Sequence, residues 1–535
     1  LKPFWRKPVL TSTALHPHQA RVGSMDANFA GNLPPWWKKA VASFGAAAAL
    51  ALTVRYLQSR AAEEAAAPAG KARAAVAGAA APSTSVDVKA SQAVAVQKYI
   101  KDVGTSLKAE ISEADVNSVG DLARYLAFQP QYGTKFMARP DVGEGVLLHV
   151  TDWKLLTPED YDRTCFHFEV DIKGTSIEHL CNGADGKALS VYATNDPQKV
   201  SAFMKEMGLN PNTVVSLDEV APQEEDGTVV LTTMEKLLTQ YLDIFGKPTR
   251  EFLKKLFPFA QDIQEKVKIA ELTLDRKMEE FQERQLRSLT FADYLTEFKS
   301  LCIPPEKYTE LVPTIKQRVY SICSSSDLHP GKCQLLVVRE DWQAKGGETK
   351  FGLCSSFLTF IRAGNYCVGH STHSVMKIPE DKMAPIFMAG LGTGLAPFRA
   401  FVEQRKFQKN HGHKVGPMTL FFGGRYSRAE YYYRDEFEAY EAEGLLKCCN
   451  AWSRDTPKKI YVQHKILEQA DDIWKNLGSK GSKGYFFLCG SKQPEKDVFA
   501  ALLEIFRTKG NMSDAQARTL MDELQAAGRY VTEVY

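Results

Sequence analysis

Residues 390–398, GLGTGLAPF, narrow the possible folds of this 535-residue chain more than any other stretch. They follow an apolar run at residues 385–389 without a break. Gly390, Gly392 and Gly394 alternate, so backbone N–H groups can turn towards a ligand with no Cβ in the way. Pro397 suits the first turn of a helix, whose positive end favours a phosphate. Strand, glycine turn and helix together predict a nucleotide-binding βα unit. The flanking sequence agrees. APIFMAG, PMTLFFGG and YFFLCG are apolar runs separated by helical stretches, the pattern of a parallel α/β sheet.

Upstream the pattern is different. GVLLHVTDWKLL, CFHFEVDI and ALSVYAT read as strands punctuated by Asp, Gly and Asn. Residues 232–291 turn helical: MEKLLTQYLDIFG, REFLKKLF, then one long amphipathic stretch at residues 263–287. Strands resume with RVYSICS, CQLLVVRE and GLCSSFLTF. The expected fold class is α+β and α/β. An antiparallel β-barrel occupies residues 135–230 and 311–380, with a helical insertion at 231–310. A Rossmann-like parallel α/β domain follows at 381–535.

Composition excludes several classes. With 44% hydrophobic and 24% charged residues, the chain is neither fibrous, polytopic in a membrane nor mostly disordered. The 67 Lys and Arg nearly balance the 64 Asp and Glu, so no field points to nucleic acid. Ten cysteines show no C-x-x-C spacing, and Cys448 and Cys449 are adjacent. A structural metal site is not expected, and a reducing compartment fits better than a disulfide framework.

The first 134 residues are organised differently. Between residues 1 and 62 the bases are Lys2, Arg6, Lys7, Arg21, Lys38, Lys39, Arg55 and Arg60, against the acid Asp26. A basic, acid-poor arm at 1–39 resembles an organelle-targeting region. Residues 40–54 carry no charge. As a helix they span roughly 22 Å, short of the ~30 Å hydrocarbon core. Snorkelling Lys39 and Arg55, with Tyr56 and Leu57, extend the run, and Trp36 and Trp37 precede it at the belt position. The expectation is a single membrane helix at 40–60, contacting the membrane through 40–57. An interfacial helix, or an Ala-rich helix packed on a partner, fits the same residues. An Ala/Pro-rich linker at 61–98 and a helical connector at 99–134 complete the plan.

Five further motifs sit in the globular part: RVYS at 318–321, GLCSS at 352–356, SRDTPKKIYVQ at 453–463, CG at 489–490 and GRYVTEVY at 528–535. With GLGTGLAPF, and in this order, they resemble the ferredoxin–NADP reductase superfamily. More closely, residues 145–535 resemble the FAD/NADPH half of the diflavin reductases.

That resemblance implies FAD and NADP(H) as cofactors. Arg318 would neutralise the FAD pyrophosphate, Tyr320 would stack on the isoalloxazine, and Ser321 would hydrogen-bond near N5. Gly352, Cys354 and Ser355 would form the second flavin loop, with Ser355 on the pyrophosphate. Gly390, Gly392, Thr393, Gly394 and Pro397 would hold the NADP phosphates. Ser453, Arg454, Lys459, Tyr461 and Gln463 would form the 2′-phosphate and adenine pocket. A dianionic phosphate wants Arg and Lys donors, whereas NAD specificity wants a carboxylate on the ribose diol. Cys489, Glu533 and Tyr535 would lie at the hydride path, with Ser321, and Tyr535 would cover the flavin face.

Some positions depart from the family pattern. Tyr192-Ala193-Thr194-Asn195 lacks the proline after tyrosine, Gly186-Lys187 replaces Gly-Asp, Glu235 replaces an Arg, and Ser491 replaces an Asp. The stretch 99–140 is too short for a flavodoxin-like domain, so the expected electron acceptor is separate and unknown. The expected activity is a membrane-anchored, FAD-dependent NADPH oxidoreductase within a mitochondrial inner-membrane complex, its catalytic module on the matrix side. An endoplasmic reticulum membrane with a cytosolic face fits the anchor too. The alternative function is an accessory subunit of such a complex that keeps the reductase fold.

Overall fold

The computed structural model describes residues 145–217 and 231–535, and the structural statements below concern those. Three strands come first: β1 (Val146–Leu155), β2 (Cys165–Asp171) and β3 (Asp185–Tyr192). A helical insertion follows through α1 (Pro197–Met207) and the hairpin of β4 (Val214–Ser216) with β5 (Leu231–Thr233). It continues through α2 (Arg250–Leu256), α3 (Ile263–Leu272), α4 (Met278–Leu286) and α5 (Phe291–Glu297). The chain then returns as β6 (Arg318–Ser321) and β7 (Lys332–Val338). A hairpin of β8 (Asp341–Gln343) and β9 (Thr349–Phe351) leads into α6 (Leu353–Phe360), and β10 (Tyr366–Lys377) ends this half.

These strands form one antiparallel sheet in the order β6-β3-β10-β1-β2-β7. A bridge between Ile322 and Leu335 joins its two edges, so the sheet curls onto itself. Side chains of β2 and β7 alternate between two cores. Phe166, Phe168 and Val170 fill the barrel with Cys333, Leu335 and Val337. Cys165 and Leu336 face outward into a core shared with the second domain. His167, Glu169 and Gln334 share that outward face and are buried with them.

The second domain holds β11 (Ile386–Leu391), β12 (Met418–Gly424), β13 (Lys447–Cys448), β14 (Ala451–Trp452), β15 (Tyr485–Gly490) and β16 (Tyr530–Val534). All pair parallel, in the order β13-β12-β11-β15-β16 with β14 also on β12. Helices α7 (Ala396–Asn410), α8 (Val462–Glu468), α9 (Glu495–Gly510) and α10 (Asp514–Ala526) flank it.

Helix α7 joins the two halves. An added Cβ on Gly183 would lie 2.9 Å from the Ala400 Cβ, so only glycine lets the barrel pack this close. Arg399 is 4% exposed and reaches into the barrel. It donates to Cys323 O and Gln334 Oε1, both at 2.8 Å, and pairs with Glu403 and Glu436, also at 2.8 Å. Beside it His167 Nδ1 and Tyr433 Oη are hydrogen-bonded at 2.9 Å. Burial first, then the Arg399 charge, lowers His167 to about 4, so the imidazole is neutral at pH 7.

The structure departs from the sequence reading in four places. GLCSSFLTF is a helix, α6, rather than a strand: Cys354, Ser355, Leu358 and Thr359 are its buried residues, a helical spacing. The stretch 263–287 is broken at residues 273–277, where the Arg250 guanidinium caps Thr273 O at the end of α3. The insertion begins at α1, well before residue 231, because Val200, Phe203 and Met204 belong to the same core as Leu253, Tyr294 and Leu311. Strands β4, β5, β8, β9, β10, β13, β14 and β16 were not read from the sequence at all. Residues 1–39, 40–60, 61–98 and 99–134 lie outside the described residues, and among those described no helix is long and apolar enough to cross a membrane.

Candidate functional site

Strand order places the site. Chain connections run from β11 outward to β12 in one direction and to β15 in the other. Ligands bind open parallel sheets outside the carboxyl ends of the strands, where the order reverses. Here that crevice lies between the ends of β11 and β15.

The glycine turn fills one side of it. Residues Gly392–Leu395 form a single 3₁₀ turn before α7, with Pro397 in the first turn of the helix. Gly392 has φ +57° and open space where a Cβ would be. Gly394 is pressed against β15, where an added Cβ would sit 2.1 Å from Cys489 O. Gly390 pairs with Cys489 across the sheet. Ala396 N donates to Thr393 O within the turn, Pro397 brings no amide, and no side chain caps the start of α7.

The chain's last strand fills the other side. Cys489 pairs with Glu533, and Tyr535 N donates to Gly490 O at 3.1 Å. Burial, then the Glu533 charge, raises the Cys489 thiol, so it stays protonated. Ser374 Oγ of β10 donates to Glu533 Oε2 at 2.6 Å, which ties the barrel to this strand. The Tyr535 and Thr393 hydroxyls are hydrogen-bonded at 2.8 Å, yet Tyr535 is 67% exposed.

A second cluster lies on the barrel. β6 pairs with β3 so that Arg318 is opposite Val191, Tyr320 opposite Leu189 and Ser321 opposite Ala188. Cys354 Sγ lies 3.9 Å from Val191 O, which brings the start of α6 beside Arg318. Burial, then Cys354, raises the Tyr320 phenol. Exposed Arg318 donates to Lys316 O and Gln317 O just before its strand, both at 3.2 Å. Ser355 differs from expectation. Its Oγ accepts from Glu340 N at 3.1 Å and donates to Gly352 O at 3.3 Å, so it holds the turn. The neighbouring Ser356 Oγ is buried with no hydrogen-bond partner. An exposed guanidinium, an uncapped helix start and an orphaned hydroxyl fit a pyrophosphate.

The third cluster lies beyond β14. Ser453 N and Oγ both donate to Gly424 O, at 3.0 and 3.2 Å, and Arg454 N donates to Arg425 O at 2.8 Å. Arg454, Lys458 and Lys459 are exposed, and Tyr461 is 41% exposed at the cap of α8. Gln463 Nε2 reaches Asp497 Oδ2 at 3.4 Å. Arg454, Lys458 and Lys459, exposed on the segment that Ser453 begins, are donors suited to a phosphate dianion. Sequence reasoning passed over Lys458, although the Lys-Lys pair was readable. It also passed over Ser374, because HSTHS within β10 has no apolar alternation to mark a strand. Among the described residues no group of three or more His, Cys, Asp or Glu could hold a metal ion.

A barrel with a uncapped anion site, facing a parallel sheet with a glycine-rich crevice, defines a two-domain flavin and nicotinamide-dinucleotide binding module. The comparisons agree. Residues 142–357 match the family described as FAD binding domain, and residues 388–499 the oxidoreductase NAD-binding domain. The sulfite reductase [NADPH] flavoprotein component of Saccharomyces cerevisiae is 34% identical over 80% of this chain. The NADPH–cytochrome P450 reductase of Musca domestica is 33% identical over 70%, and NADPH-dependent diflavin oxidoreductase 1 of Mus musculus 31% over 72%. The chain carries the FAD/NADP module of the diflavin reductase family. It spans 41%, 56% and 64% of the lengths of these three relatives.

Proposed function

We propose that the chain is an NADPH-dependent flavoprotein reductase that delivers electrons to a separate acceptor. The carrying observation is the convergence of Gly390–Gly394, Cys489, Glu533 and Tyr535 at the reversal point of the parallel sheet, tied to the barrel by Ser374. When bound, FAD accepts a hydride from the nicotinamide and passes the electrons on.

The protein's part is position and charge. Arg318, Gly352, Cys354 and the start of α6 hold the flavin pyrophosphate, with Tyr320 and Ser321 along the ring. Gly390, Gly392, Thr393, Gly394 and Pro397 hold the dinucleotide phosphates. Ser453, Arg454, Lys458 and Lys459 take the 2′-phosphate, Gln463 lines that pocket and the exposed face of Tyr461 takes adenine. Cys489 stays a neutral thiol, and Glu533 keeps its carboxylate oriented by Ser374. Tyr535, held at its tip by Thr393, would cover the flavin face and would have to move aside for nicotinamide.

Purified full chain should show flavin absorbance near roughly 370 and 450 nm, as a flavin cofactor gives. NADPH should bleach it, and ferricyanide should restore it. A protein without flavin bands, or one that NADPH does not bleach, sinks this reading.

The acid-poor leader and the uncharged run at 40–54 support placement in the mitochondrial inner membrane, anchored through 40–57 within a larger complex. Carbonate extraction and native gels of mitochondria test this. Release as a free species of the chain's own 59.6 kDa overturns both anchor and assembly.

A further inference from the structure

One cluster at the junction of the two domains has no part in the reading above. The connection between β1 and β2 lies against the turn after β12. Tyr161 Oη donates to Glu430 Oε1 at 2.6 Å. The other oxygen, Oε2, accepts from Arg425 N at 2.7 Å. Glu430 is 2% exposed, so both oxygens are committed inside the protein. Arg163 lies 3.8 Å from Oε1, and Asp162 pairs with Arg425 at 3.0 Å. The Tyr161 ring meets Tyr426 edge-on, centroids 6.3 Å apart.

The same turn carries the loop that holds Ser453 and Arg454. Gly424 O accepts from Ser453 N, and Arg425 O accepts from Arg454 N. On the far side, the Asp455 carboxylate accepts from Ser427 N at 3.1 Å. A continuous path therefore runs from Tyr161 through the Glu430 carboxylate and the Arg425 peptide to the backbone of Arg454. Burial, and then the bond to Glu430, push the Tyr161 phenol up to about 12, so it remains a donor across the physiological range.

The geometry points to Tyr161 and Glu430 as positioning residues for 2′-phosphate recognition: a barrel residue sets the cofactor preference of the other domain. This rests on the assignment of Ser453, Arg454 and Lys459 to the 2′-phosphate. The reason is mechanical. Arg454 is exposed on an irregular segment, and its aim depends on the two carbonyls that hold its backbone. Those carbonyls belong to a turn whose own amide is fixed by a buried carboxylate. NADH has no 2′-phosphate, so a misaimed Arg454 weakens NADPH and spares NADH.

Tyr161→Phe keeps the ring contact with Tyr426 and removes the hydroxyl. Amide hydrogen exchange of residues 424–427 and 452–456 should speed up about tenfold. KM for NADPH should rise about fivefold with kcat unchanged, and NADH kinetics should stay within about twofold. Glu430→Gln should rescue most of both effects relative to Glu430→Ala, since its amide can accept from Arg425 N and donate to Tyr161. Unchanged exchange in Tyr161→Phe overturns the inference, as does an equal rise in KM for both dinucleotides. Faster exchange in a protein whose wild type uses NADPH and NADH equally would overturn the pocket assignment, and the specificity role with it.

Discussion

At the scale of single residues, the difference between two dinucleotides is one phosphate, and a few side chains must read it. Arg454, Lys458 and Lys459 are exposed together, and Ser453 is turned back onto Gly424 O. A charge-assisted hydrogen bond contributes about 1.5–3 kcal/mol. Arg454→Ala should therefore raise the Kd or KM for NADPH about tenfold or more and leave NADH within about twofold. Steady-state kinetics with both dinucleotides decide it, and equal losses would refute the pocket. Cys489 illustrates the opposite case. Burial, and then its neighbour Glu533, keep the thiol neutral, which disfavours the thiolate that a nucleophile needs.

At the scale of elements, the glycine turn is an argument about contact. Gly392 and Gly394 look equivalent in GLGTGLAPF, yet they do different work. A Cβ on Gly392 meets open space and is strained only by φ +57°. A Cβ on Gly394 meets Cys489 O at 2.1 Å and Gly490 N at 2.7 Å, both backbone atoms of a central strand. Neither can move without breaking the β11–β15 ladder. Gly394→Ala should cost about 1–3 kcal/mol as overpacking and displace the turn from the crevice. Calorimetric NADP+ affinity should fall more for Gly394→Ala than for Gly392→Ala, with flavin content retained in both. The reverse ranking would mean that the turn is held by something other than its contact with β15.

At the scale of the whole molecule, the barrel and the parallel sheet share one apolar core, and a buried ion cluster runs through it. Arg399 supports Glu403, which is 1% exposed, and reaches Cys323 O and Gln334 across the junction. Glu403 also accepts from Ser325 N at 2.8 Å. Removing one partner of a buried pair costs about 3–5 kcal/mol, because the other charge is left uncompensated. Arg399→Met should lower the denaturant midpoint by a corresponding amount. Arg399→Met with Glu403→Gln should recover part of it. If the double variant is no more stable than the single, the charge pair is not what joins the two halves.

Much of this was legible in the chain itself. Period and punctuation marked the longer apolar strands β1, β2, β3, β7, β11, β12 and β15, and β6 with them, since apolar runs bounded by Gly, Asp and Asn have few other solutions. The glycine turn and its helix were legible because φ freedom, a proline at the first turn and a preceding apolar strand are all local properties. RVYS and SRDTPKK were legible as motifs. Local rules failed where long-range packing decides. GLCSSFLTF has the composition of a strand and became α6, since its buried face suits a helix packed on the barrel. The strand β10 mixes His, Ser and Thr with apolar residues, and only pairing with β1 and β3 on both sides makes it one. The insertion's true start, the contact of Gly394 with β15 and the path from Tyr161 to Arg454 join residues tens to hundreds of positions apart. Sequence by itself determined the kinds of elements, the crevice loop and the chemistry of its side chains, because those depend on each residue and its near neighbours. Which side chains meet was decided only by the tertiary structure, because burial, hydrogen-bond partners and close backbone approach exist only once distant strands have paired.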